Sequence, residues 1–171
     1  VDLIPSSVHF DVASEAVVNS SRGSGLTEYR EMLTRIFCEA RRTLKPTGRL
    51  VLTFHNTDIR AWWALARALH DAGLSVHALA VAEAENGSDH TKRNSRAFTS
   101  DLVIESRPAI RPRQTVNVGE GETPEAQELY AAGCALAFWG AVELKEFIAQ
   151  YRVILGHFAR PRIRIPNLEK T

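Results

Sequence analysis

Cysteine is nearly absent. There are two in 171 residues, Cys38 and Cys134, far apart and each inside an apolar helical stretch. That excludes a disulfide framework or a thiolate zinc site, which need more ligands at tighter spacing. It reads as two buried free thiols in a reducing compartment, the cytoplasm. Long apolar runs are also missing: none reaches the ~18 residues of a membrane span. Charge of one sign is scarce, with a formal net charge of +1. Bulk electrostatics therefore cannot draw the chain to nucleic acid, and any such affinity needs local basic patches. The histidines His9, His55, His70, His77, His90 and His157 are scattered. No pair lies one helical turn apart, so no metal site is expected. The start lacks a signal-peptide pattern and opens on Val1, which fits a fragment. What remains is 44% hydrophobic and 24% charged, a globular balance with length for one core.

Residues 1–25 are weakly patterned, ending in the polar stretch Ser20-Ser21-Arg22-Gly23-Ser24-Gly25. From Leu26, apolar residues recur at helical spacing through Tyr29, Met32, Leu33, Ile36, Phe37 and Ala40, predicting an amphipathic helix capped by Ser24 or Thr27. Lys45-Pro46-Thr47-Gly48 ends it. Leu50–Phe54 is an unbroken apolar-rich run, predicting a central strand buried on both faces, as in a parallel sheet. Asp58 is a good N-cap for a helix ending at Gly73, with Trp62, Leu65, Ala66 and Leu69 as its stripe. Trp63 falls off that stripe and is expected near the surface. A strand is predicted within Ser75–Ala82, a long polar loop over 83–97, and a strand at Leu102–Ile104. The last two have no helix between them, so they pair antiparallel or lie at an edge. Arg107–Arg113 reads as a linker. Thr123-Pro124-Glu125 opens a helical region reaching about Tyr151, broken near Gly140, with Tyr130, Phe138 and Trp139 as core residues. The tail Arg160–Pro166 alternates basic and apolar residues.

The segment Glu39-Ala40-Arg41-Arg42-Thr43-Leu44-Lys45-Pro46-Thr47-Gly48-Arg49-Leu50-Val51-Leu52-Thr53-Phe54-His55 is similar to the fourth-helix-to-fifth-strand segment of class I methyltransferases, whose turn usually reads Leu-Lys-Pro-Gly-Gly. Phe54-His55-Asn56-Thr57-Asp58, Ala61-Trp62 and Ala68–Gly73 look more specifically like bacterial adenine-specific DNA methylases, large proteins of which some carry a zinc-ribbon insertion. Asn94-Ser95 and the Asp101–Ile104 strand extend the likeness, which covers roughly residues 26–107. It implies an α/β fold: part of a Rossmann-like methyltransferase sheet, three-layer αβα, with a C-terminal helical extension. The implied organisation is an irregular segment at 1–25, half a methyltransferase domain at 26–107, a linker at 108–122 and a helical extension with basic tail at 123–171.

The implied chemistry is methyl transfer from S-adenosylmethionine to adenine N6 in DNA, after the base is flipped out of the stack. The parts that perform it are missing from the sequence. No glycine-rich turn follows a strand: Gly23, Gly25, Gly119 and Gly121 are expected in loops. No Asp/Asn-Pro-Pro-aromatic loop is present to hold the target amine. The resemblance therefore implies a fragment, inactive alone, that needs a second polypeptide or an N-terminal half and contacts DNA weakly. Catalytic and cofactor residues are not assigned. On the DNA or substrate side, His55 and Asn56 end a strand at the edge where α/β sheets bind ligands. Lys92, Arg93, Asn94 and Arg96 are a loop cluster able to meet phosphates. The alternatives are a small-molecule methyltransferase fragment and a non-catalytic DNA-binding or interaction module.

Overall fold

The computed structural model describes residues 25–83, 98–108, 116–120, 123–158 and 161–165. Helix α1 (Leu26–Thr43) follows Gly25, whose N–H donates to the Glu28 carboxylate at 3.0 Å. Glycine, rather than Ser24 or Thr27, therefore occupies the cap. Tyr29 and Phe37 are buried, but Ile36 and Cys38 are exposed, so the stripe is narrower than its pattern suggested. After the turn closed by Gly48 N–H to the Lys45 carbonyl, strand β1 (Leu50–Phe54) begins.

Asp58 caps helix α2 (Ile59–Asp71) by accepting from Arg60 N, and Gly73 ends the unit at φ +68°, where a side chain is strained. Nine of the thirteen α2 residues are buried, so the helix is enclosed rather than laid on a surface. Trp63 is correspondingly 7% exposed, its indole donating to the Val142 carbonyl and its ring lying under Arg30. Strand β2 (Leu74–Glu83) and strand β3 (Ser100–Pro108) come next, then β4 (Asn117–Val118), α3 (Pro124–Phe138) and α4 (Leu144–Leu155). Thr123 caps α3, as its sequence signature predicts. Strand β3 runs through Arg107 and Pro108, the first residues of the predicted linker, and residues 109–115 lie outside the described residues. Tyr130 is buried, whereas Phe138 is exposed.

The sheet order is β1-β3-β2-β4. Strand β3 is antiparallel to both β1 and β2, which therefore run in the same direction on either side of it. Only β2 and β4 are adjacent and parallel. This corrects the expectation of a central, doubly buried β1: among the described residues β1 is an edge strand whose residues alternate between half-buried and exposed. The reason is topological, because the later strand β3 inserts between β1 and β2.

One sheet face carries Leu50, Leu52, Phe54, Leu79, Leu102 and Ile104, and α2 and α3 pack on it. Phe54 meets Trp62 edge-on, with ring centroids 4.9 Å apart. Gly133 lets α3 come close: a Cβ there would lie 2.7 Å from a Leu102 methyl and 2.8 Å from a Leu79 methyl. Helix α1 lies against α2, and α4 against α2 and α3. The opposite face presents Val51, 58% exposed, with exposed Thr53 and Ala80. Among the described residues no helix covers that face, so the second helical layer of a three-layer arrangement is not found there. No helix of the described residues is long and apolar enough to cross a membrane.

Candidate functional site

Alternation along β1 decides where its last residues go. Phe54 turns to the packed face, so His55 turns to the open one, beyond the last pair of the register, Phe54↔Leu102. The residue opposite His55 is Asp101, and its carboxylate contacts His55 Nδ1. Both side chains keep access to solvent, with 43% of the His55 and 34% of the Asp101 surface exposed. The pair therefore sits at one corner of the sheet, at the carboxyl end of β1, on the face and beside the edge that no other described residues cover.

Asp101 is held from behind. Glu125, in the first turn of α3, is 8% exposed and accepts from Thr99 N at 2.6 Å, Ser100 N at 2.8 Å and Thr99 Oγ1 at 3.0 Å. It also pairs with Arg162 at 2.9 Å, whose guanidinium lies over the Phe98 ring. One carboxylate thus pins the start of β3, and with it Asp101.

Asn56 has a structural role. Its side-chain oxygen accepts from Asp58 N at 2.8 Å and its carbonyl from Trp62 Nε1 at 2.9 Å, so it shapes the turn into α2. Asp58 grips the Arg60 guanidinium at 2.6 Å, and that hydrogen bond raises the arginine pKa above its ordinary value. The tail is stitched to the same turn: Arg164 N donates to the Thr57 carbonyl at 2.7 Å, and Ile59 N to the Arg164 carbonyl at 3.2 Å. Behind it Glu128, 2% exposed, accepts from Arg162 N at 3.0 Å and Ile163 N at 2.8 Å. The tail is thus a built part of this end of the molecule.

Lys92, Arg93, Asn94 and Arg96 lie outside the described residues. Their segment joins Glu83 to Phe98, which are at the same end of the sheet as His55. Asp101, Glu125 and Glu128 are the residues here that the sequence did not mark as part of a site. The alternation of Leu102 and Ile104 puts Asp101 on the opposite face, but nothing local announces its partner 46 residues away.

The fit of S-adenosylmethionine can be tested on Gly119. Contrary to expectation, this glycine does follow a strand, β4, and precede a helix, α3. The space beside it is filled, however. A Cβ there would lie 2.6 Å from the Tyr130 hydroxyl, which itself accepts from Val81 N and donates to the Glu120 carbonyl. The described residues thus leave no room at Gly119 on the side that a Cβ would take, although the residue itself is exposed. Nor do they contain a cluster of side chains able to hold a metal. No family model, curated protein or solved structure matches the chain.

Proposed function

We propose that this chain is the substrate-side portion of a DNA adenine-N6 methyltransferase of the cytoplasm, built on a Rossmann-like sheet. In this reading the S-adenosylmethionine site and the amine-holding Pro-Pro loop are contributed by other residues, in an N-terminal half or a second polypeptide. The observation that carries the reading is the state of β1. Among the described residues it combines an unpaired edge, an open sheet face and, at its carboxyl end, an accessible His55–Asp101 pair. Sheets manage exposed edges because unpaired N–H and C=O groups recruit other strands. A β1 edge continued by further strands parallel to it would bring their carboxyl ends beside His55, at the kind of edge where open α/β sheets bind ligands. The resemblance in Leu44–Asp58 supplies the identity of the chemistry.

The test has two parts. Titration calorimetry of the purified chain with S-adenosylmethionine or its demethylated product should detect no complex of micromolar affinity. Co-expression with a segment carrying a glycine-rich strand-turn-helix and an Asp/Asn-Pro-Pro-aromatic loop should yield a complex that methylates adenine. A one-to-one micromolar complex of the chain alone with the cofactor would overturn the division of labour. DNA binding by the chain alone should be weak and fall steeply with salt, since only local basic segments are available; tight, salt-insensitive, sequence-specific binding would favour a dedicated recognition module.

A further inference from the structure

We propose that His55 and Asp101 form a proton-accepting dyad, in which Nε2 of His55 receives a proton from an N–H group of the substrate and Asp101 is its positioning residue. The contact of the Asp101 carboxylate with Nδ1 directs the ring proton to that nitrogen, which leaves the Nε2 lone pair for a ligand. With 43% of its side chain exposed, His55 can be reached from solvent.

Three observations separate this pair from an ordinary surface ion pair. It stands at the carboxyl end of β1 on the open face, where no described element covers it. Asp101 is pinned by the buried Glu125 acting on Thr99 and Ser100, so the orienting group does not wander. Two other carboxylates at this end are engaged elsewhere, Asp58 with Arg60 and Glu125 with Arg162, and Glu83 falls by alternation on the other face of β2 from Ala82, the residue paired with Asp101. Of the carboxylates described at this corner, Asp101 is thus the one turned to the imidazole. In the proton transfer the substrate N–H bond, made acidic as the nitrogen lone pair forms its bond to the incoming group, breaks and its electron pair returns to nitrogen, which ends neutral. The proton bonds to Nε2, and the resulting imidazolium is stabilised across the ring by Asp101. The choice of an exocyclic amine as the donor rests on the adenine reading above; the dyad itself does not.

The experiment uses the whole chain. Nitrogen NMR of the imidazole should show neutral His55 carrying its proton on Nδ1, the form that Asp101 selects. Diethyl pyrocarbonate should then acylate Nε2, and Asp101→Asn should slow this by about tenfold or more by favouring the wrong tautomer. Asp101→Glu should restore much of the rate, which a merely structural loss would not allow. Circular dichroism of each variant confirms that it is folded. An Nε2–H tautomer in the native chain, or an unchanged acylation rate in folded Asp101→Asn, would overturn the dyad. Protection is the second arm: at low salt, oligodeoxyadenylate should shield His55 from acylation more than oligothymidylate, whose base has no exocyclic amine. Equal or absent protection with the tautomer intact would overturn the amine as substrate while leaving the dyad, and so separates the two inferences.

Discussion

Replacing Tyr151 by phenylalanine removes one oxygen from the interior, and the structure gives the sign of the result. Tyr151 is fully buried on α4, and its hydroxyl has no hydrogen-bond partner among the described residues. Leaving such a group without a partner costs about 1–3 kcal/mol of desolvation. Deleting it forfeits only the dispersion contacts of one atom, a few tenths of a kcal/mol. Tyr151→Phe should therefore stabilise the fold by about 1 kcal/mol, equivalent to about 2–4 °C in Tm for a chain of this size. A second signature lies at alkaline pH. Burial first, and the Glu128 carboxylate second, raise the Tyr151 pKa far above the ordinary tyrosine range. The unfolded chain releases that proton near pH 10, whereas the folded chain holds it. The stabilisation is thus complete below about pH 10 and is lost as pH rises towards the folded-state value. The variant should lack this part of the alkaline loss. Burial also raises the pKa of Tyr29, so some loss remains. Urea denaturation at pH 7 and pH 10.5 gives both numbers. A variant less stable by 1 kcal/mol at pH 7, or one with the native alkaline loss, would refute the reasoning.

Gly133→Ala should destabilise by about 1 kcal/mol, because overpacking against Leu102 and Leu79 at about 1–3 kcal/mol exceeds the roughly 1 kcal/mol gained in helix propensity. A double-mutant cycle with Leu79→Ala should recover part of the loss, and a more stable single variant would show that the contact relaxes freely. Glu128→Ala leaves the Arg162 and Ile163 amides without their acceptor, and hydrogen exchange at both should speed up by at least tenfold while the centre of α2 is unchanged. Glu105 has its pKa lowered first by the hydrogen bond from Arg107, then by the nearby charges of Arg107 and Arg49. Its contribution is present above the ordinary glutamate value of about 4.3 and disappears as pH falls through the lowered one. Glu105→Gln should therefore narrow the stability difference between pH 7 and pH 3, and an unchanged difference would remove Glu105 from the account.

Local signals carried much of the fold. The Lys45–Gly48 turn, the Asp58 and Thr123 caps and the break near Gly140 are decided within a few residues, and the structure keeps each of them. The antiparallel pairing of β2 with β3 is one of the two arrangements, an edge position being the other, that the polar pattern over 83–97 left open. The position of β1 was not legible, because Leu50–Phe54 reads the same at an edge as at a centre. What decides it is β3, about fifty residues downstream. Trp63 was misread for the same reason: the Val142 carbonyl that receives its indole N–H is 79 residues away. At the candidate site His55 was legible as a strand-end polar residue, but its partner was not. Asn56 carried the same strand-end signal and proved to be part of the turn.

The insertion of β3 between two parallel strands also fixes an order of assembly. When β1 leaves the ribosome, no strand described upstream of it is available to pair with. Its partner, β3, is complete only when Pro108 has been made, and His55 meets Asp101 across 46 residues. Throughout that interval the nascent chain has the residues of α1, β1, α2 and β2 but not the strand that joins β1 to β2. Closing long loops before any pairing compensates for the lost chain entropy makes such sheets slow to form. Until β3 is made, Leu50, Leu52 and Leu79 have no neighbours from it in the sheet, and unpaired apolar strands are open to wrong partners.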